Sequence, residues 1–97
     1  SVKAFELFAK IHGQSKTFPK GAEAHLYNIV LNPTNIDLYR DLRKIYLLQN
    51  QSQEPLNFIQ KAAEQHPEIK LVLAETYEMS GLTDEALRLY EEIISCK

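Results

Sequence analysis

The chain has 97 residues, of which 44% are hydrophobic and 25% are charged, a balance typical of one small folded domain and not of a disordered segment. Its formal net charge is −2, which argues against a general attraction to nucleic acid or to an anionic membrane surface. The single cysteine, Cys96, excludes an internal disulfide framework and a multi-cysteine zinc site.

Two features of the sequence concern its cellular context. No apolar stretch approaches the roughly 20 residues that cross a membrane, and no secretory signal opens the chain, so we expect a cytoplasmic protein without a membrane partner. The first residue is Ser1 rather than Met, and we expect this domain to be part of a longer chain.

The spacing of apolar residues predicts six helices. Apolar side chains recur at intervals of three and four residues, as on one buried face of an α-helix, and they do not alternate as in a half-buried strand. Helices joined by short connections lie antiparallel to their neighbours, so the predicted fold class is all-α. In chain order, the six apolar stripes cover residues 4–11, 22–30, 39–46, 56–63, 69–77 and 86–94.

Glycine, proline and capping residues mark the ends of these helices. Thr34 is predicted to cap the third helix, with Asp37 three residues later as its capping partner. Pro55 is tolerable in the first turn of the fourth helix, and Pro67 ends that helix because it disfavours helical geometry at the preceding residue. Gly81 suits the left-handed conformation that follows many helix ends.

The sequence also repeats itself. At an offset of 31 residues, Leu42 matches Leu73 and Tyr46 matches Tyr77, and the first pair of helices matches the second at an offset of 33–35. Repeats of this length are typical of stacked helical hairpins, none of which can bury its apolar face alone. In the second helices, the matching pairs are Leu56 with Leu87, Ile59 with Tyr90, Ala62 with Ile93 and Ala63 with Ile94.

Within each unit the order of residues resembles a known family. The third unit has Leu73 followed by the small Ala74, then Tyr77, Gly81, and Ala86 four residues before an aromatic residue. This order is similar to that of the tetratricopeptide repeat. In the second unit, Arg43 replaces the usual small residue, and we expect it to open the hairpin slightly or to extend its stem towards solvent.

The resemblance implies a fold and a domain organisation. We expect an α-solenoid of three antiparallel helical hairpins, wound as a right-handed superhelix like that of tetratricopeptide proteins. It would form a single domain over residues 1–97, with repeats at about 1–33, 34–66 and 67–97.

No arrangement of residues indicates catalysis or a cofactor. His12, His25 and His66 lie on different units and lack further ligands at the spacings that metal sites use. Cys96 has no base placed beside it that could activate a nucleophile, and no glycine-rich loop could hold a phosphate. We therefore predict that the protein is not an enzyme and that it has no catalytic residues, metal or cofactor.

The resemblance also implies a binding groove. In such stacks the first helices of successive hairpins line a concave surface, which binds a peptide or helix of another protein in a scaffold or adaptor role. Apolar groove residues would seat apolar anchors, and charged ones would receive charged groups of the partner. Alternatively, the charged residues form a solvated face with pairs one helical turn apart. The predicted groove residues are Phe5, Ala9, His12, Arg40, Lys44, Leu47, Leu48, Leu71, Glu75, Glu78 and Met79.

Two other functions stay open. The last helix is apolar around much of its girth, and Leu89, Ile93 and Ile94 are predicted end-face contacts for further repeats, for self-association or for a docked partner. The chain would then be an oligomerisation domain. The helical hairpins also resemble pentatricopeptide repeats, which bind single-stranded RNA, although an acidic chain with a shortened unit argues against that function.

Overall fold

The computed structural model describes residues 21–49 and 54–95. These residues form five α-helices and no β-strand, so the prediction of an all-α fold is confirmed for this part of the chain. The predicted first helix, over residues 4–11, lies outside the described residues. The helices are α1 (Glu23–Leu31), α2 (Ile36–Leu48), α3 (Glu54–Gln65), α4 (Lys70–Met79) and α5 (Thr83–Ser95), with a 3₁₀ turn at Pro67–Ile69.

Each helix packs against the next one along the chain, and α4 makes a further contact with α2. Helix α4 therefore lies against both helices of the pair that precedes it, α2 and α3. None of the five helices combines the length and the apolar character that are needed to span a membrane.

The core runs through the first four of these helices. Tyr46 and Phe58 are completely buried, and their rings lie in a tilted arrangement with centroids 5.3 Å apart. Such a pair adds about 1 kcal/mol beyond the burial of its area. The small residues Ala62 and Ala74 are also completely buried, which allows neighbouring helices to approach closely.

The start of α2 differs from the prediction. Asn35, and not Thr34, caps this helix: its side-chain oxygen accepts a hydrogen bond from the backbone N–H of Asp37 at 3.1 Å. Asparagine is at least as effective a cap as threonine. The chain before the helix is held by Tyr39, whose hydroxyl donates to the carbonyl of Pro33 at 2.7 Å.

The proline and glycine predictions are confirmed in the second half of the chain. Pro55 lies in the first turn of α3. His66, before Pro67, is extended with φ −136° and ψ 103°, and it separates α3 from the 3₁₀ turn. Gly81 has φ +80°, the left-handed conformation that lets the backbone N–H groups of Gly81 and Leu82 bond back to the end of α4.

Candidate functional site

The structure places the predicted groove residues of the second and third units on two helices that touch. These helices, α2 and α4, correspond to the first helices of the predicted second and third units, and they contact each other directly. The remaining predicted groove residues, Phe5, Ala9 and His12, lie outside the described residues. Helix α2 carries Arg40, Lys44, Leu47 and Leu48, and helix α4 carries Leu71, Glu75, Glu78 and Met79.

Arg40 and Glu75 join these two helices. The Nε and Nη2 atoms of Arg40 donate to the two carboxylate oxygens of Glu75 at 3.0 and 2.7 Å. The remaining terminal nitrogen, Nη1, donates to Asp37 at 3.0 Å, one turn earlier on α2. A guanidinium that meets a carboxylate with two parallel hydrogen bonds fixes both the distance and the orientation of the two side chains.

Arg43 extends the same network, and its position corrects the prediction. Its Nη1 donates to the hydroxyl of Thr76 at 3.0 Å and lies 3.6 Å from Glu75. The Thr76 hydroxyl in turn donates to the carbonyl of Val72 at 2.7 Å. The side chain of Arg43 is only 13% exposed, so it lies along the interface of α2 and α4 instead of extending towards solvent.

The contact between Arg40 and Glu75 favours the charged form of both groups. Hydrogen bonding from Arg40 holds the pKa of the Glu75 carboxyl below its ordinary value of 4.5, and the same bond raises the pKa of Arg40. Two guanidinium groups face the carboxylates of Asp37 and Glu75, so the set is electrically neutral. Arg40 and Glu75 are therefore engaged with each other across the two helices, which weakens their expected role as receivers of a partner's charges.

The other predicted charges lie at the edges of this surface. Lys44 is exposed on α2. Glu78 is exposed on α4 and accepts a hydrogen bond from the Tyr90 hydroxyl at 3.1 Å. Burial, and then this bond, raise the pKa of Tyr90. Leu71 is half-buried.

Three apolar side chains stand out from the ends of the two helices. Leu47 and Leu48 are exposed at the end of α2, and Met79 is exposed at the end of α4. Leu48 is 75% exposed and Met79 is 57% exposed, and the two occupy matching positions in the repeat. We call these three residues the apolar edge.

The apolar residues of α5 differ in how far they are exposed. Leu87, which matches a core residue of the preceding unit, is 55% exposed. Leu89, a predicted end-face contact, is half-buried against the core, and it lines a surface cleft together with Leu73 and Tyr77. Ile94 is 71% exposed. Ile93, the third predicted contact, is half-buried.

The described residues contain no cluster of three or more His, Cys, Asp or Glu side chains that could hold a metal ion. Of the residues considered for chemistry, His25 is half-buried on α1, and His66 is half-buried in the connection that follows α3. His12 and Cys96 lie outside the described residues.

Comparison with curated proteins relates the chain to a repeat protein. Over 63 residues it is 40% identical to a TPR (tetratricopeptide) repeat-containing protein of Methanocaldococcus jannaschii. The match covers 62% of this chain and 20% of the relative, so it corresponds to about a fifth of that protein's length. No family model matches the chain. No solved structure matches it significantly.

Proposed function

We propose that the chain is a tetratricopeptide-type interaction module, without enzymatic activity, that binds a peptide or helix of another protein. The similarity to a TPR repeat-containing protein over 63 residues is the observation that carries this proposal. The contact between α2 and α4, the first helices of two successive units, supports it. The domain would span residues 1–97, with repeats at about 1–33, 34–66 and 67–97 in a right-handed superhelix.

The partner would bind across α2 and α4, with its apolar side chains on the apolar edge. Leu48 and Met79 are the most exposed apolar residues of these helices, and burying such side chains supplies most of the energy of a peptide interface. Arg40 and Glu75 would act by holding the two helices together, because their charges already compensate each other.

Selection of peptides from a random displayed library against the folded 97-residue chain tests the proposal. We expect selected peptides to bind about tenfold more weakly to the Leu48→Glu and Met79→Glu variants, because each places a charge on the apolar edge. Leu31→Glu is the matched control. Leu31 is 59% exposed, but it lies on α1, which is not one of the two helices that form the proposed groove. We expect it to leave the affinity within about twofold.

Circular dichroism of each variant establishes that helicity is retained. If Leu31→Glu weakens binding as much as Leu48→Glu, or if the selection yields no binding peptide, the groove is not the binding surface.

A second candidate function is self-association through α5. Leu87 and Ile94 are both more than half exposed on this helix, and exposed apolar patches of this kind mark many interfaces. Measurement of the mass in solution separates the two functions. A dimer that becomes a monomer on Ile94→Asp supports self-association, whereas a monomer at all concentrations, or a dimer that persists in the variant, excludes it.

A further inference from the structure

A surface cleft of about 220 Å³ opens between α4 and α5. Its apolar floor consists of Leu73, Tyr77 and Leu89, and we call it the end cleft. Three charged side chains of α5 form its rim: Glu85, Arg88 and Glu92.

The same hollow exists in the preceding unit, where it is filled. At the offset of 31 residues, the floor residues of the end cleft match Leu42, Tyr46 and Phe58. All three are completely buried, and α4 packs against both helices that carry them. In the end cleft, Tyr77 and Leu89 are only half-buried. Among the residues that the structure describes, one hollow is thus covered by a helix, and its counterpart one repeat later is open.

We propose that the end cleft is the docking site for an amphipathic α-helix of a partner protein, with the apolar stripe of that helix on Leu73, Tyr77 and Leu89. The seat of α4 on the preceding pair of helices is the template for this interface. The surface is distinct from the apolar edge, so it can be tested independently of the proposed groove.

The first chemical requirement on the docking helix comes from the two arginines of α2. Glu75 of α4 meets Arg40 and Arg43. The positions that match these arginines in the third unit are Leu71 and Ala74. A carboxylate placed there would face these two apolar side chains instead of two guanidinium groups, so the docking helix has an apolar residue where α4 has Glu75.

The second requirement comes from α3. The side-chain amide of Gln60 donates to the hydroxyl of Tyr77 at 3.0 Å, and the position that matches Gln60 on α5 is the exposed residue Glu91. A docking helix with Lys or Arg where α4 has Tyr77 therefore gains an ion pair with Glu91.

The net negative charge of α5 also favours a docking helix that carries basic residues. Helix α5 has four carboxylates and one guanidinium, a net charge of −3, whereas α3 has two carboxylates and one ammonium, a net charge of −1. Two carboxylates on the rim already have basic partners within the chain: Glu92 lies 2.8 Å from Lys70, and Glu85 lies 3.4 Å from Arg88.

A synthetic peptide supplies the probe. It has the sequence of residues 66–82 with Glu75→Leu and Tyr77→Lys, carries a fluorescent label, and is titrated with the 97-residue chain. We expect saturable binding of this peptide. The peptide with the unchanged sequence should bind at least about tenfold more weakly, because its glutamate would face Leu71 and Ala74 instead of two guanidinium groups. Equal affinity of the two peptides would show that α4 is not the template.

Variants of the chain locate the bound peptide. Leu89→Glu weakens binding about tenfold by placing a charge on the floor of the end cleft, and Leu87→Glu, on the exposed side of the same helix, stays within about twofold. Leu48→Glu leaves the affinity unchanged. A loss with Leu48→Glu would place the peptide on the apolar edge and overturn the proposal.

A charge exchange keeps the test valid if Leu89→Glu fails to fold. Glu91 is exposed, so Glu91→Lys leaves the fold intact. This variant should bind the lysine peptide several-fold more weakly than the wild-type chain does. A peptide with Tyr77→Glu instead of Tyr77→Lys should recover the lost affinity. Absence of this recovery contradicts the predicted orientation. If the chain itself is a dimer that Leu89→Glu dissociates, the occupant is a second copy and the proposal is wrong.

Discussion

Arg40 and Glu75 are 35 residues apart in the sequence, and two hydrogen bonds of 3.0 and 2.7 Å join them in the fold. Because Arg40 lies on α2 and Glu75 on α4, these bonds connect the first helices of successive units. A bidentate pair resists rotation as well as separation. It therefore fixes the angle between the two helices that form the proposed groove.

Removal of either partner of this pair should destabilise the fold. We expect Arg40→Gln and Glu75→Gln each to lower the free energy of unfolding by about 1 kcal/mol, since the pair is partly shielded from water. Asp37→Asn should cost less, because the Asp37 side chain is largely exposed. Urea unfolding followed by circular dichroism measures each variant. The double variant should lose less than the sum of the two single losses, and strict additivity would contradict a direct coupling.

The lowered pKa of Glu75 predicts a dependence of stability on pH. In the folded chain this pKa lies below the ordinary value of 4.5, so the ionised carboxylate stabilises the fold above that pH. The stabilisation is lost progressively as the pH falls from 4.5 through the folded pKa. Urea unfolding between pH 6 and pH 3 should show a smaller decrease for Glu75→Gln than for the wild type. Parallel decreases would show that Glu75 does not contribute.

Gly81 provides a test of the backbone at the turn between α4 and α5. Its φ of +80° disfavours any residue with a Cβ, although no heavy atom beyond the two adjacent residues lies within 4 Å of the place where that Cβ would be. We expect Gly81→Ala to lower stability by about 1 kcal/mol through backbone strain alone. Gly81→Asn should cost less, because asparagine adopts this conformation more readily. Thermal unfolding ranks the variants, and an asparagine variant less stable than the alanine variant would contradict this explanation.

The close approach of the helices at Ala74 predicts an effect of side-chain size. Ala74 is completely buried on α4, so Ala74→Leu should lower the free energy of unfolding by about 1–3 kcal/mol through overpacking. Ala24→Leu is the control, because Ala24 is exposed on α1. It should change stability by no more than about 0.5 kcal/mol. Similar losses in both variants, measured by urea unfolding, would argue against close packing at Ala74.

Local rules predicted the helices and most of their ends, because each depends on a few neighbouring residues. The end of α3 before Pro67 and the left-handed Gly81 are examples. Thr34 and Asn35 are adjacent and both can cap a helix, and the prediction chose Thr34 because Asp37 lies three residues later. The stronger preference of asparagine for the N-cap position was the signal that could have identified Asn35.

The environment of Arg43 could not be predicted from neighbouring residues. Its acceptor, the Thr76 hydroxyl, is 33 residues away, and only the packing of α4 on α2 brings the two together. The exposure of Leu87 could not be predicted for a related reason. Its match to the buried Leu56 of α3 favoured a core position, but α3 packs against both α2 and α4, whereas α5, within the described residues, packs against α4.

The joint between α3 and the next unit consists of one extended residue, His66, before the 3₁₀ turn at Pro67–Ile69 leads directly into α4. If the polypeptide were pulled from its ends, this connection could lengthen very little, because its one linking residue is already extended. A pulling force would be transmitted directly from α3 to α4, and the two units would extend together instead of separating independently. Added residues would be tolerated far better at the exposed turn around Gly81 than at this joint.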